Sequence, residues 1–247
     1  MLAAVSLFGI AASQAAICTS CGGSSSGGST PPVPTTYSGD AEVLYVNVTL
    51  LNGFSIPVNL VTAGPIPVTG GYASDTLATI PAVPLNLVSG YAATAVAEAG
   101  PNAQAPAGVN ASYSFASVDG TAVSLNAVLP GALNISAQVI SATANATCDA
   151  NGNADLSGSS VLTALVINGN TINVTGQPNQ TISIPQVAKI TLNEQIVAVT
   201  SSTADGSMTV NAIDIVLVPP GSLLGPVITG QIIVSHAHAD IECGTGS

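Results

Sequence analysis

Apolar residues in this chain recur at every second position, in runs cut apart by turn residues. Leu44, Val46, Val48 and Leu50 alternate with Tyr45, Asn47 and Thr49. A strand presents alternate side chains to opposite faces, so such runs must lay their apolar face on another sheet. No segment sustains a helical period with caps. Residues 111–118 and 121–128 flank Asp119-Gly120, which predicts a two-residue hairpin. Residues 161–167 and 171–174 flank Asn168-Gly169-Asn170, a second hairpin, and residues 190–199 and 208–218 flank a turn around Ala204-Asp205-Gly206, a third. Pro219-Pro220-Gly221 ends that strand, and residues 133–148 and 227–243 read as two further long strands. Residues 54–62 form a short run broken by Pro57. Six prolines between residues 64 and 109 confine that stretch to edge strands and loops, with residues 85–96 readable as a strand or a short helix. The expected fold is all-β: an antiparallel β-sandwich or sandwich-like barrel with long hairpins over residues 37–247.

Composition narrows the function. Lys189 is the single Lys, Arg and Trp are absent, and twelve Asp and Glu leave a net charge of −11. Charged residues make up 5%, against about 25% in ordinary domains. Nucleic-acid binders neutralise phosphates with Lys and Arg, so no nucleic-acid partner is expected. Phosphoryl transfer and carboxylate clamps lose their usual cations too. Hydrophobic residues at 47% suffice for a sizeable core, so the surface must be built of Ser, Thr, Asn, Gln and Gly.

Residues 1–16 are an apolar run ending in small residues, which reads as a signal segment although its basic start is missing. Residues 17–36 follow as a Gly/Ser/Pro tract that cannot pack and reads as a disordered tether. Cys18 or Cys21 could carry a lipid, but Ile17 stands where the lipid-attachment pattern wants a small residue. Nothing follows Cys243 but Gly-Thr-Gly-Ser, so membrane contact, if any, is expected through an N-terminal anchor. Four Cys in an exported chain predict disulfides. Of three connectivities, Cys18–Cys21 with Cys148–Cys243 is expected, because Cys148 and Cys243 both sit at predicted strand ends.

Three segments carry chemistry. On a strand His236, His238, Asp240 and Glu242 share one face, and His236, His238 and Asp240 form a candidate Zn²⁺ or Cu²⁺ set. The plainer expectation is an exposed polar face, with Ile233, Ala237, Ala239 and Ile241 turned inward. Asp149, Asn151, Asn153 and Asp155 space side-chain oxygens two apart, as calcium loops do. Ala154 and Ser160 stand where an EF-hand needs Gly and Glu, so the alternative is a plain Asx-rich turn. Glu194 is expected to bond backbone N–H groups at a strand irregularity rather than to act as a catalytic carboxylate, and strand parity places Lys189 on the opposite face. No cofactor and no catalytic residue are expected; Ca²⁺ or Zn²⁺ is the alternative.

The block from Cys148 to Cys243 carries Leu165-Val-Ile-Asn-Gly169, Gly176-Gln-Pro-Asn-Gln-Thr-Ile182, Leu192-Asn-Glu-Gln195, Val210-Asn-Ala212 and Ser235-His-Ala-His-Ala-Asp240 in this order. It resembles the bacterial choice-of-anchor P surface proteins, clearest over residues 147–243. The resemblance implies an exported bacterial protein at the cell surface or in the extracellular matrix, structural or adhesive and without catalytic activity. Two alternatives stand beside it: a self-assembling fibre subunit that uses strand addition, and a calcium- or metal-dependent adhesin binding an extracellular glycan or protein.

Overall fold

A computed structural model describes residues 33–244 apart from 51–52, 82–86, 102, 105–108, 125–132, 201 and 218–227. The chain divides into two units, Met1–Pro31 and Pro32–Ser247, and the described fold lies in the second. The signal-like segment, most of the tether, Cys18, Cys21 and the Pro219-Pro220-Gly221 stop lie outside the described residues. The fold is an all-β sandwich of two antiparallel sheets.

The strands run β1 (Thr36–Leu50), β2 (Ser55–Ala63), β3 (Gly71–Thr79), β4 (Val88–Pro101), β5 (Asn110–Ser124), β6 (Asn134–Cys148), β7 (Ala154–Thr163), β8 (Val166–Ile167), β9 (Asn170–Thr171), β10 (Gln180–Ile184), β11 (Ala188–Val199), β12 (Asp205–Leu217) and β13 (Ile228–Glu242). One sheet has the order β10-β11-β12-β13-β1-β2, and the other β3-β4-β5-β6-β8-β9, with β7 also on β6. β13 packs over β5 and β6, β1 over β4 and β5, and β12 over β6 and β7. Antiparallel neighbours come from short connections, whereas β13 returns to pair with β1 and so sets the first and last strands side by side inside the first sheet. Pro57 sits on the edge strand β2, where a missing N–H costs no ladder bond. The proline-spaced stretch is not confined to edges, because β4 lies inside its sheet between β3 and β5.

Both sheets contain a row at which the buried face changes parity. In β1 the buried residues are Tyr37, Ala41 and Val43, then Leu44, Val46 and Val48. In β13 they are Ile232 and Val234, then Ala237, Ala239 and Ile241; in β12, Val210 and Ala212, then Ile213 and Ile215. Register is kept on both sides of the switch, so no residue is inserted. The backbone instead enters the left-handed region in alternate strands, at Asn193 (φ 49°), Ser235 (φ 58°) and Val61 (φ 57°). In the other sheet Ala92 (φ 49°) in β4 and Gly120 (φ 54°) in the adjacent β5 enter the same region, as does Ala164 (φ 51°) between β7 and β8, and there the β4–β5 register does shift, between Tyr91 and Thr94. Asp119-Gly120 is therefore not the predicted hairpin: β5 runs straight through it, and Gly120 turns the following side chains over instead of reversing the chain. A Cβ at Gly120 would overlap the Tyr91 ring, so only glycine fits there. The other two chain reversals form with shifted bounds: Asn168-Gly169 joins β8 to β9, although the 161–167 run is split into β7 and β8 and β9 ends at Thr171, and β11 reverses into β12 before Asp205, so that Asp205-Gly206 open β12 rather than the turn.

The parity row also divides the core. On the side toward Cys243, the facing residues are mostly small: Gly39, Ala41, Ala237 and Ala239 against Ala95, Ala97, Ser112, Ser114, Ala142 and Ala144. On the other side they are Leu44, Ile190, Ile213, Ile215 and Ile232 against Leu87, Val123, Leu133 and Leu165. The sheets come close where side chains are small: a Cβ on Gly39 would stand 2.9 Å from Ser112 Oγ. The sandwich thus tapers from an Ile/Leu end to an Ala/Gly/Ser end.

Candidate functional site: the outer face of the β13 sheet

The parity switch decides which polar residues reach the outer face of the β13 sheet. Immediately past it, one cross-strand row reads Glu194, Asn211, His236, Glu42 and Thr62 across β11, β12, β13, β1 and β2. The next row on that face holds Ile196, Thr209, His238 and Asp40. Asp205, Asp240 and Glu242 continue it, and Asp214 lies on the same face beyond the switch. Seven of the chain's twelve carboxylates therefore share this face, together with both His and Lys189.

The row is wired from one side. Asn211 Nδ2 donates to Glu194 Oε2 at 2.7 Å, while Asn211 Oδ1 lies 2.7 Å from His236 Nδ1. An amide oxygen only accepts, so His236 Nδ1 carries the proton of that bond. His236 Nε2 then faces Asp40 Oδ2 at 3.3 Å. Burial pushes the Asp40 carboxyl up, but the His236 bond and the His236 and His238 charges outweigh it and hold the group below its ordinary range. Thr209 Oγ1 pairs with His238 Nδ1 at 2.8 Å.

Glu42, directly opposite His236, is left out of this wiring. Its Oε1 is buried and has no hydrogen-bond partner among the described residues. Burial, with Asp40 adding to it and His236 working against it, raises the carboxyl from 4.5 to about 7. Glu42 lines a pocket of about 200 Å³ with Tyr45, Gln231, Ile233 and His236. Asp214 is also raised, chiefly by burial, although Gln231 Nε2 donates to it at 2.7 Å. Asp240 is raised in the same way, with His238 opposing and Asp205 and Glu242 adding.

One pH effect follows from Glu42. Between about 4.5 and about 7 the unfolded chain ionises this group while the folded chain keeps its proton. Stability tied to Glu42 is thus intact below that window and lost as pH rises through it. Glu42→Gln removes the dependence, so the stability of the variant minus that of the parent should grow from pH 4 to pH 8. After discounting for the solvent that reaches the group, the growth is expected at about 1 kcal/mol. Urea unfolding at the two pH values measures it, and a constant difference would contradict it.

His236, His238 and Asp240 do share a face, as the strand period requires, but they do not converge. Same-face neighbours along a strand stand roughly 6–7 Å apart, and each imidazole Nδ1 is engaged by another strand, at Asn211 or Thr209. Among the described residues no three His, Cys, Asp or Glu are grouped to hold a metal. The inward partner in β13 is Val234, 1% exposed, and not Ile233, which lines the outer pocket. Ser235 φ is the reason, since strict alternation fails at that residue. Asn193 has the same effect in β11: Lys189 and Glu194 lie on one face, both acting on Asp214. Glu194 bonds the Asn211 side chain rather than backbone N–H groups. Its neighbours hold the irregularity instead, with Asn193 Nδ2 on Gly176 O at 3.2 Å and Gln195 Nε2 on Gly158 O at 3.0 Å.

Residues 149–155 turn their oxygens onto themselves. Asp149 Oδ1 accepts from the backbone N–H groups of Asn151 (2.8 Å) and Asn153 (2.7 Å). The Asn153 bonds lead those that hold its carboxyl below the ordinary range. Asn153 Oδ1 accepts from Thr203 Oγ1 at 2.6 Å, and Asp155 belongs to β7 opposite Thr147. This is an Asx turn rather than a converging ligand set. Cys148 and Cys243 form a disulfide with Cα atoms 5.7 Å apart, joining the end of β6 in one sheet to the end of β13 in the other. No family model matches the chain, and no curated protein matches it.

Proposed function

We propose that this chain is an exported bacterial surface or matrix domain, structural or adhesive and not catalytic, of the choice-of-anchor P kind that its last hundred residues resemble. The inter-sheet disulfide is the observation that carries the reading. Such bonds persist where the surroundings are oxidising, outside the cytosol. The outer face fits the same role: its carboxylates are spread across four strands, β11, β12, β13 and β1, as a surface for contact rather than a cleft for chemistry. The 149–155 turn is closed by its own side chains, with Asp149 accepting from Asn151 and Asn153. Size-exclusion chromatography with light scattering, run with calcium and with a chelator on protein recovered from culture medium and cells, tests it. Recovery in the cytosol with free Cys148 and Cys243 thiols would overturn it.

A second reading, self-assembly by strand addition, is favoured by one edge. β10 pairs with residues 188–192 of β11, so among the described residues no strand pairs with 195–199 on that side. Ile196, Val197 and Val199 are 52%, 56% and 56% exposed, and no charge guards them. If this edge adds strands between copies, the parent elutes as a concentration-dependent polymer and Val197→Lys returns it to monomer. A parent that stays monomeric at every concentration would end this reading and leave the first intact.

A further inference from the structure

We infer that the pocket between β1 and β13 is a binding site for a single alkylammonium group, such as the end of a lysine side chain, with Glu42 as its anion and Tyr45 and Ile233 as its walls. This goes beyond the surface role proposed above and does not depend on it. Four observations carry it. Glu42 brings a buried carboxylate oxygen that no donor in the described fold satisfies, and an unsatisfied buried acceptor is costly enough to require a partner. The chain is nearly without side-chain ammonium or guanidinium groups of its own: Lys189 is the single Lys and Arg is absent, and Lys189 stands on β11, two strands across from β13, in the row of Val216 and Gln231. The pocket, about 200 Å³, falls below the roughly 300–1,000 Å³ of sites for drug-sized ligands and suits one side-chain-sized group. Its walls suit that group: Ile233 supplies apolar surface for an alkyl stem, and Tyr45 adds an aromatic side chain to the lining.

The geometry also chooses between cations. A guanidinium pairs best with two carboxylate oxygens side by side, whereas a carboxylate with Oε1 buried suits the compact point charge of an ammonium. The charged groups around Glu42 point the same way. Asp40 precedes it on β1 and is tied to His236 of β13 at 3.3 Å. His238 lies opposite Asp40, and Glu194 reaches His236 through Asn211. On β2 the neighbour is Thr62, whose N–H is taken by Asp75 of β3 at 3.2 Å. Apart from the two imidazoles these groups are anionic or neutral, so a cation enters a field of its opposite sign.

The test is a chemical-shift titration of the full disulfide-bonded chain with n-butylammonium chloride at pH 8 and about 150 mM salt, where long-range attraction is screened. Saturable shifts are expected at the amides of Glu42, Tyr45 and Ile233. With Glu42 titrating near 7, its ionised fraction falls about tenfold from pH 8 to pH 6, and affinity should fall with it. Glu42→Gln should lose at least about tenfold, and Tyr45→Leu, a change at a half-exposed position that leaves the carboxyl in place, severalfold. The peptide Gly-Lys-Gly and free butylammonium separate the two sources: tighter binding of the peptide points to a lysine of a partner chain, equal binding to a free amine. Nε-acetyl-lysine amide should give no shift. Absence of saturation, shifts spread over the whole acidic face, equal binding of ethylguanidinium, or unchanged affinity in Glu42→Gln would overturn the assignment.

Discussion

Replacing Cys148 and Cys243 together with alanine is expected to lower the unfolding free energy by about 4–5 kcal/mol. The two residues are 95 positions apart, so their bond removes a large loop from the unfolded ensemble, and in the chain-entropy account the gain grows with the logarithm of that loop. Domains carry only about 5–15 kcal/mol in total, so the loss removes about a quarter or more of the margin. Its position adds to this. The bond closes the tapered end of the sandwich, where Ala and Gly bury little apolar area per residue. Next to it the backbone is already anchored, with Cys243 N–H on Ala204 O at 2.8 Å and Gly244 N–H on Thr35 Oγ1 at 3.1 Å. These bonds hold the folded end in place, so the effect of the double variant falls on the unfolded state. Urea denaturation of oxidised parent and double variant measures it. A loss below about 1 kcal/mol would mean that the cross-link hardly restricts the unfolded chain.

Much of this arrangement is legible in the amino-acid sequence, and where it is not the reason is local. The period-two runs, the Asn168-Gly169 turn and the Cys148–Cys243 pair are read from residue types whose physics is short-range. The faces are harder. Alternation counts residues, and it holds only while every residue stays extended. One left-handed residue shifts the count by one, which is how Val234 and Ile233 exchange faces and how Lys189 and Glu194 come to share one. Asn193 and Gly120 are of types that adopt this conformation readily, but Ser235 and Val61 are not, and a β-branched valine there carries no warning at all. Asp119-Gly120 shows the converse error, because a dipeptide that suits a tight turn also suits a switch of face inside a continuous strand. His236 and its strand neighbours were visible as a polar row. Glu42, Asn211 and Glu194, which complete the face, come from three other strands and become its neighbours only through register.

The taper predicts that the two halves of the core answer to opposite substitutions. At the wide end, Ile213 is fully buried among Leu and Ile, and Ile213→Ala should cost about 2–5 kcal/mol, because the deleted methylenes leave a cavity that the ladder on both sides of β12 keeps from collapsing. At the narrow end the fault is reversed. Ala144 and Ala237 are fully buried among other small residues, and Ala144→Leu should cost about 1–3 kcal/mol or more by overpacking, though it adds apolar surface to the core. Gly39 marks the limit: a Cβ there stands 2.9 Å from Ser112 Oγ and 3.3 Å from the backbone oxygen of His238, and that oxygen cannot swing aside, so Gly39→Val should be worse than Ala144→Leu. A sandwich of uniform thickness would accept Ala144→Leu by a small shift of neighbouring side chains and gain apolar burial from it. The paired result, a loss from shrinking Ile213 and a loss from enlarging Ala144, requires that sheet spacing differ across the parity row; stabilisation by Ala144→Leu in a denaturation experiment would show that it does not.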